Sequence, residues 1–232
     1  VKVHPKNKYW SRIEIAEWII EVSKHYKIFV GIDFAFSYHY DHKEFYFKNS
    51  QNSPKTPYQL WNVINKINAD EDDFYGGKIW DHNNYGKYYN APNRKIGKFY
   101  KSTRRYTEEN IKKIKAPSPA FNCVGPGAVG TGSLAGMRML LYLKKSANIW
   151  PFYKFDLKKN ITLVETFPSY YFMITGVNPI KKQHVETKKL NFALEYYGTK
   201  KLPQDFKVYG PDSDDADALI SSVALKKFSK ND

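Results

Sequence analysis

Two short apolar runs, each closed by an acid, constrain this chain more than anything else in its sequence. The first is Lys27-Ile28-Phe29-Val30-Gly31-Ile32-Asp33-Phe34, and the second is Ile161-Thr162-Leu163-Val164-Glu165-Thr166-Phe167. Both are rich in β-branched residues and neither alternates apolar with polar. Each therefore reads as a strand buried on both faces, as in a parallel sheet. Parallel strands need a long crossover, and helical segments lie between the two runs. Helices alternating with buried strands predict an α/β fold. In open α/β sheets, ligands sit beyond the carboxyl ends of the strands. An acid at such an end, where the pattern predicts burial, is a candidate site residue. Asp33 and Glu165 are the first two.

The helices announce themselves through their caps. Ser11-Arg12-Ile13-Glu14 is a capping box, opening a helix to about His25 with Ile13, Ala16, Ile20 and His25 near helical spacing. Thr56-Pro57-Tyr58-Gln59 is a second, with Pro at the first helical position, and its helix runs to about Asn68. From Asp70 to Pro119 the chain is rich in Tyr, Asn, Lys and Gly. This reads as an irregular insertion with one short helix near 107–115. Further helices are expected over about 133–145, over 188–197 with Gly198 as its stop, and from Ser213, an N-cap, to about Phe228. On the last helix Ala216, Leu219, Ile220, Val223 and Lys227 form the inward stripe. Asp217 lies at the edge of that stripe, and Asp214 is its neighbour three residues earlier. The helix dipole accounts for acids in a first turn, which explains Asp214 and Asp215 better than Asp217.

Asp33, Glu165, Asp214 and Asp217 together suggest chemistry. Clustered carboxylates raise one another's pKa unless a cation neutralises them. A set of oxygen ligands without Cys or clustered His selects a hard ion, Mg²⁺ or Mn²⁺. Two such ions about 4 Å apart are an apparatus for phosphodiester hydrolysis. The plain alternative is two strand-end acids paired with lysines and an acid cluster at a helix start.

Three segments carry a resemblance. Val30-Gly31-Ile32-Asp33-Phe34-Ala35-Phe36-Ser37, then Val164-Glu165-Thr166-Phe167-Pro168-Ser169, then Asp214-Asp215-Ala216-Asp217-Ala218-Leu219 resemble successive motifs of a poorly characterised family. It is a family of predicted nucleases with the ribonuclease-H-like fold, akin to Holliday-junction resolvases. Asn122 to Gly130 is similar to the glycine-rich segment between that family's second and third acids. The resemblance implies one three-layer domain over 1–232, with a central mixed sheet flanked by helices and an insertion at about 70–120. It implies a metal-dependent nuclease with Asp33, Glu165, Asp214 and Asp217 as metal ligands. Such a fold begins with an antiparallel hairpin whose first strand carries another aspartate. Here the helix at Ser11 comes almost at once and no acid precedes Glu14. The expectation is that those strands lie upstream of residue 1, or that they are lost.

The formal charge of +14 attracts polyanions, chiefly nucleic acid. Of the 37 basic residues, only Arg12, Arg94, Arg104, Arg105 and Arg138 are arginine. Lysine as the default surface residue of an AT-rich genome explains the charge equally well. The basic-aromatic stretch from Tyr88 to Tyr106 reads as a loop with tyrosines packed beneath it, or as a surface that stacks bases. Arg104 and Arg105 in it, with Gly127, Gly130 and Thr131 of the glycine segment, are the candidate substrate contacts. Gly125-Pro126-Gly127-Ala128-Val129-Gly130 also fits a dinucleotide fingerprint, but the strand before it and the acid after it are missing. His39-x-x-His42 falls in a loop. Cys123 is the only cysteine, so no intrachain disulfide forms and a reducing, cytoplasmic setting is expected. No apolar run reaches the roughly 18 residues of a membrane span. Two other classes share these features: a non-catalytic nucleic-acid-binding or scaffold protein, and a sugar-kinase-like ATP-binding protein.

Overall fold

A computed structural model describes residues 9–42, 45–125, 127–208 and 214–229. The chain divides into two compact units. One comprises residues up to Tyr106 together with Pro117–Glu165, and the other Thr107–Ala116 with the chain from Thr166 onward.

The first unit is α/β. Helix α1 (Arg12–Ser23) opens with the expected capping box: Glu14 N–H donates to Ser11 Oγ, and Ser11 N–H to the Glu14 carboxylate. Its inward face differs from the expectation. Ala16 and Ile19 are buried while Ile13 is exposed, so the stripe is rotated toward Ile19. Strand β1 (Ile28–Ile32) follows, then helix α2 (Pro57–Ile67), capped by Thr56. Gln59 donates to Thr56 Oγ1 but spends its side chain on the Lys55 amide, so this is half a capping box. Residues 70–120 are irregular apart from two short 3-10 turns and helix α3 (Tyr106–Ile111), which from Thr107 belongs to the second unit. Helix α4 (Gly130–Leu143), strand β2 (Ala147–Ile149) and strand β3 (Ile161–Glu165) complete the unit.

The strands form one sheet in the order β1-β3-β2. β1 and β3 are parallel, as expected, with Ile28 opposite Ile161 and Ile32 opposite Glu165. β2, which no pattern predicted, is also parallel to β3. Among the described residues the sheet is thus wholly parallel rather than mixed. β3 is central, with Ile161 and Leu163 inaccessible, whereas β1 is at the edge and its Phe29 is 47% exposed. Burial of β1 on both faces is therefore corrected. The main core joins α1, α2, α4 and the sheet to aromatic rings from the loops. Tyr38, Phe47, Tyr89 and Phe121 lie ring to ring, with centroids 4.2 Å apart for Tyr38 and Phe121 and 6.1 Å for Tyr38 and Tyr89. The tyrosine-rich stretches are thus largely packing material.

The second unit is helical beyond α3. Helix α5 (Pro168–Ile174) starts at a proline, whose fixed φ and missing N–H suit the first helical position. Helix α6 (Thr187–Tyr196) ends at Gly198, whose φ of +74° lets its amide reach back to Glu195. Helix α7 (Asp214–Phe228) buries Ala216, Ile220 and Ala224 against Phe172, Leu190 and Leu194. Ala216 and Ile220 belong to the expected stripe, but Leu219, Val223 and Lys227 are only partly buried while Ser221 and Ala224 are buried, so the inward face is rotated toward Ala224. Ser213, its expected cap, lies outside the described residues. No helix among the described residues is long and apolar enough to cross a membrane.

Candidate functional site

The site forms at the carboxyl edge of β1 and β3. Because Ile32 is paired with Glu165 and strands lie about 4.8 Å apart, Asp33 leaves the sheet beside Glu165. The chain turns there at once: Phe34 N–H donates to Ile32 O, a three-residue turn with Asp33 at its apex. The segment beyond is fixed from two sides. Ala35 N–H donates to Ser133 Oγ at 3.1 Å, on the first turn of α4, and Phe36 N–H donates to Glu165 Oε2 at 3.0 Å. Trp61 of α2 then holds the Phe36 carbonyl through its indole N–H at 2.8 Å. Gly136 on α4 permits the closest approach, since a Cβ there would stand 2.4 Å from the Phe34 ring.

The two acids differ in environment. Asp33 keeps solvent-exposed surface, yet surrounding protein displaces much of the water around its carboxyl. Burial first, and the Glu165 charge second, push its pKa up to about 6. Glu165 has a cation: Arg105 grips it with both terminal nitrogens, Nη1 to Oε2 at 2.6 Å and Nη2 to Oε1. Such a two-pronged guanidinium–carboxylate pair is among the stronger polar contacts. The pair is largely shielded, with 17% of the Arg105 and 29% of the Glu165 side chain accessible.

The other candidate residues are distributed as follows. Asp214 and Asp217 are in the second unit, on the first turn of α7, with Asp214 exposed and Asp217 half-buried. Arg104 donates from Nε to Pro117 O at 2.7 Å, a loop-to-loop strut. The Gly130 amide donates to Asn122 O at 2.8 Å, and a Cβ there would meet Cys123 Sγ at 2.5 Å. Gly130 therefore serves packing, and its amide is not available to hold a phosphate. Thr131 Oγ1 donates to Cys123 O at 3.3 Å. Gly127 has φ +73°, and its space is closed by Ser118 Oγ. The glycine segment is a structural turn feeding α4. Cys123 is buried and burial pushes its thiol up to about 12, which leaves it protonated and unreactive.

Among the described residues, no group of three or more His, Cys, Asp or Glu side chains is disposed to hold a metal ion. Asp33 and Glu165 are a pair of oxygen donors of the kind a hard ion takes, and Arg105 supplies the positive charge that a metal would bring to Glu165. Sequence reasoning placed Arg105 among substrate contacts. Its role as the partner of Glu165, 60 residues away, leaves no local pattern from which it could be read. Comparison with family models, curated proteins and solved structures finds no match to this chain.

Proposed function

We propose that this chain is a metal-dependent nuclease of ribonuclease-H-like type, acting on phosphodiester bonds of DNA or RNA. The observation that carries the reading is the meeting of Asp33 and Glu165 at the carboxyl ends of adjacent parallel strands, where an α/β sheet presents its ligand site. An acid raised to about 6 by desolvation and a neighbouring carboxylate has an unmet demand for positive charge. Mg²⁺ or Mn²⁺ would meet that demand, and when bound would polarise a phosphoryl oxygen and lower the pKa of water. Asp33 and Glu165 would hold it through their carboxylate oxygens. Arg105 then has a second place to go: a guanidinium released from Glu165 matches the two-oxygen edge of a phosphate. The net charge of +14 favours such a polyanion, and the single buried thiol suits a reducing, cytoplasmic setting.

The test is cleavage of labelled single-stranded, duplex and branched DNA and RNA with Mg²⁺ or Mn²⁺. Wild type is compared with Asp33→Asn and Glu165→Gln, which remove charge at constant size. Metal-dependent cleavage lost in both variants is the expected result. Cleavage that survives both rejects this site, and no cleavage by wild type rejects the enzyme. Asp214→Asn and Asp217→Asn in the same assay decide whether the acids of α7 take part. One observation favours a second reading. The Arg105–Glu165 pair already neutralises one acid without a metal, as a nucleic-acid-binding protein without catalysis would have it. Binding of every strand without cleavage of any selects that reading.

A further inference from the structure

A cavity of about 140 Å³ opens in the first unit, walled by Phe45, Tyr46, Tyr88, Phe99 and Phe121. Lys48 and Lys101 also line it. Its volume is in the class that takes one six-membered ring, since an apolar cavity of about 150 Å³ binds benzene. It is well short of the roughly 300 Å³ at which pockets for drug-sized ligands begin. The charge around it is positive: Lys87 Nζ lies 5.4 Å and Lys98 Nζ 5.7 Å from the Phe99 ring centroid. Aromatic walls for a flat ring and lysines for the charge beside it are what a strand of nucleic acid meets on proteins that stack its bases.

The cavity is tied to the carboxylate site through consecutive residues. Thr103 lines the cavity, Arg104 follows, and Arg105 grips Glu165. His39, also in the lining, has Nδ1 2.9 Å from the Arg104 carbonyl. A carbonyl only accepts, so Nδ1 carries the proton and anchors the segment to the cavity wall. Asp41 adds an acceptor to the lining, and a carboxylate accepts from a ring N–H or an exocyclic amine of a base.

We propose that this cavity is a subsite for a single pyrimidine-sized base of a nucleic-acid strand whose backbone continues toward Arg105. The proposal rests on the reading of a nucleic-acid ligand and not on hydrolysis. The aromatic walls take the base by stacking, and size excludes the two-ring purines. Lys101, exposed on the same segment, holds a flanking phosphate irrespective of base. The tyrosine-rich loops thus serve twice, as core below and as base platform at the rim.

The test is equilibrium binding of the full chain, in EDTA so that no strand is consumed. The probes are fluorescein-labelled eight-mers of thymidylate, of deoxyadenylate and of abasic residues with equal phosphate charge. The thymidylate strand is expected to bind about tenfold tighter than the abasic one, as one stacked base implies, with deoxyadenylate near the abasic value. Phe99→Ala abolishes the preference. Because Phe99 also packs on the core, Thr103→Trp is the second variant: it plugs the cavity without removing core, and it too abolishes the preference. Lys101→Ala weakens all three strands alike. Equal affinity for thymidylate and abasic strands, binding of none, or a preference that survives Thr103→Trp overturns the proposal. Metal-dependent cleavage without base preference sinks the subsite alone, and base-selective binding without cleavage sinks the nuclease alone.

Discussion

Two glycines on one helix give opposite answers to the same substitution, and the contrast tests how α4 holds the Asp33 turn. At Gly136 an added Cβ would lie 2.4, 2.4 and 2.5 Å from three carbons of the Phe34 ring, where carbon contacts want about 3.5–4.0 Å. Either the ring or the helix must withdraw by about 1 Å, and overpacking of this kind costs about 1–3 kcal/mol. Alanine returns about 1 kcal/mol of helix propensity, so Gly136→Ala is expected to be destabilising by up to about 2 kcal/mol. At Gly132, one turn earlier, nothing lies within 4 Å of the added Cβ. Gly132→Ala therefore gains up to about 1 kcal/mol. Urea unfolding followed by circular dichroism measures both, and the two midpoints should move in opposite directions. Phe34→Leu in the Gly136→Ala background should recover stability, with a coupling of at least about 0.5 kcal/mol. A Gly136→Ala variant as stable as Gly132→Ala, or no coupling to Phe34, would refute the argument that this contact sets the turn.

Three further outcomes follow from the site. Asp33, raised to about 6, holds a proton in the folded chain between the ordinary carboxylate range and pH 6 that the unfolded chain has lost. Its contribution to stability therefore falls as pH rises through that window and is constant above it; the Asp33→Asn variant should lack this slope in urea midpoints measured at pH 4.5 and 7. Arg105→Ala removes the cation that grips Glu165, so the variant should be less stable than wild type without metal and should regain stability on adding Mn²⁺, by binding linkage; a melting temperature indifferent to Mn²⁺ in both proteins counts against a metal at this pair. Cys123, pushed up to about 12 by burial, should resist a thiol-reactive disulfide reagent in the native protein and react at once in denaturant.

The strand pair and its two acids were legible because burial on a sheet demands runs of β-branched residues, and an acid closing such a run contradicts its surroundings. The caps at Ser11 and Thr56 were legible for a similar reason, since a hydroxyl and a side-chain acceptor three residues apart satisfy local amides whatever the tertiary fold. Other features depend on distant neighbours and left no pattern. α4 begins at Gly130 rather than near Ser133 because glycine, poor in a helix by propensity, is required where Cys123, Ala120 and Asn122 press on it. The three-residue β2 is too short to carry a period. Arg105 meets Glu165 across 60 residues, and nothing near either residue foretells the other. Ile13, apolar at helical spacing, is exposed because the buried face centres on Ala16 and Ile19, and Ile13 lies about 120° round the helix from Ile19.

The parallel pairing of β1 with β3 also sets when the site can exist. Glu165 accepts from the amide of Phe36 across 129 residues of sequence. A ribosome adding about 5–20 residues per second leaves the Asp33 turn without its partner strand for roughly 6–26 s. During that interval β1 has emerged but cannot pair with β3, and its apolar edge is open to other chains. Contacts this far apart in sequence also slow folding once the chain is complete. A nascent or truncated chain ending before β3 therefore carries Asp33 and the aromatic loops but no carboxylate pair. Any activity that requires both acids is in this way deferred until β3 has been made.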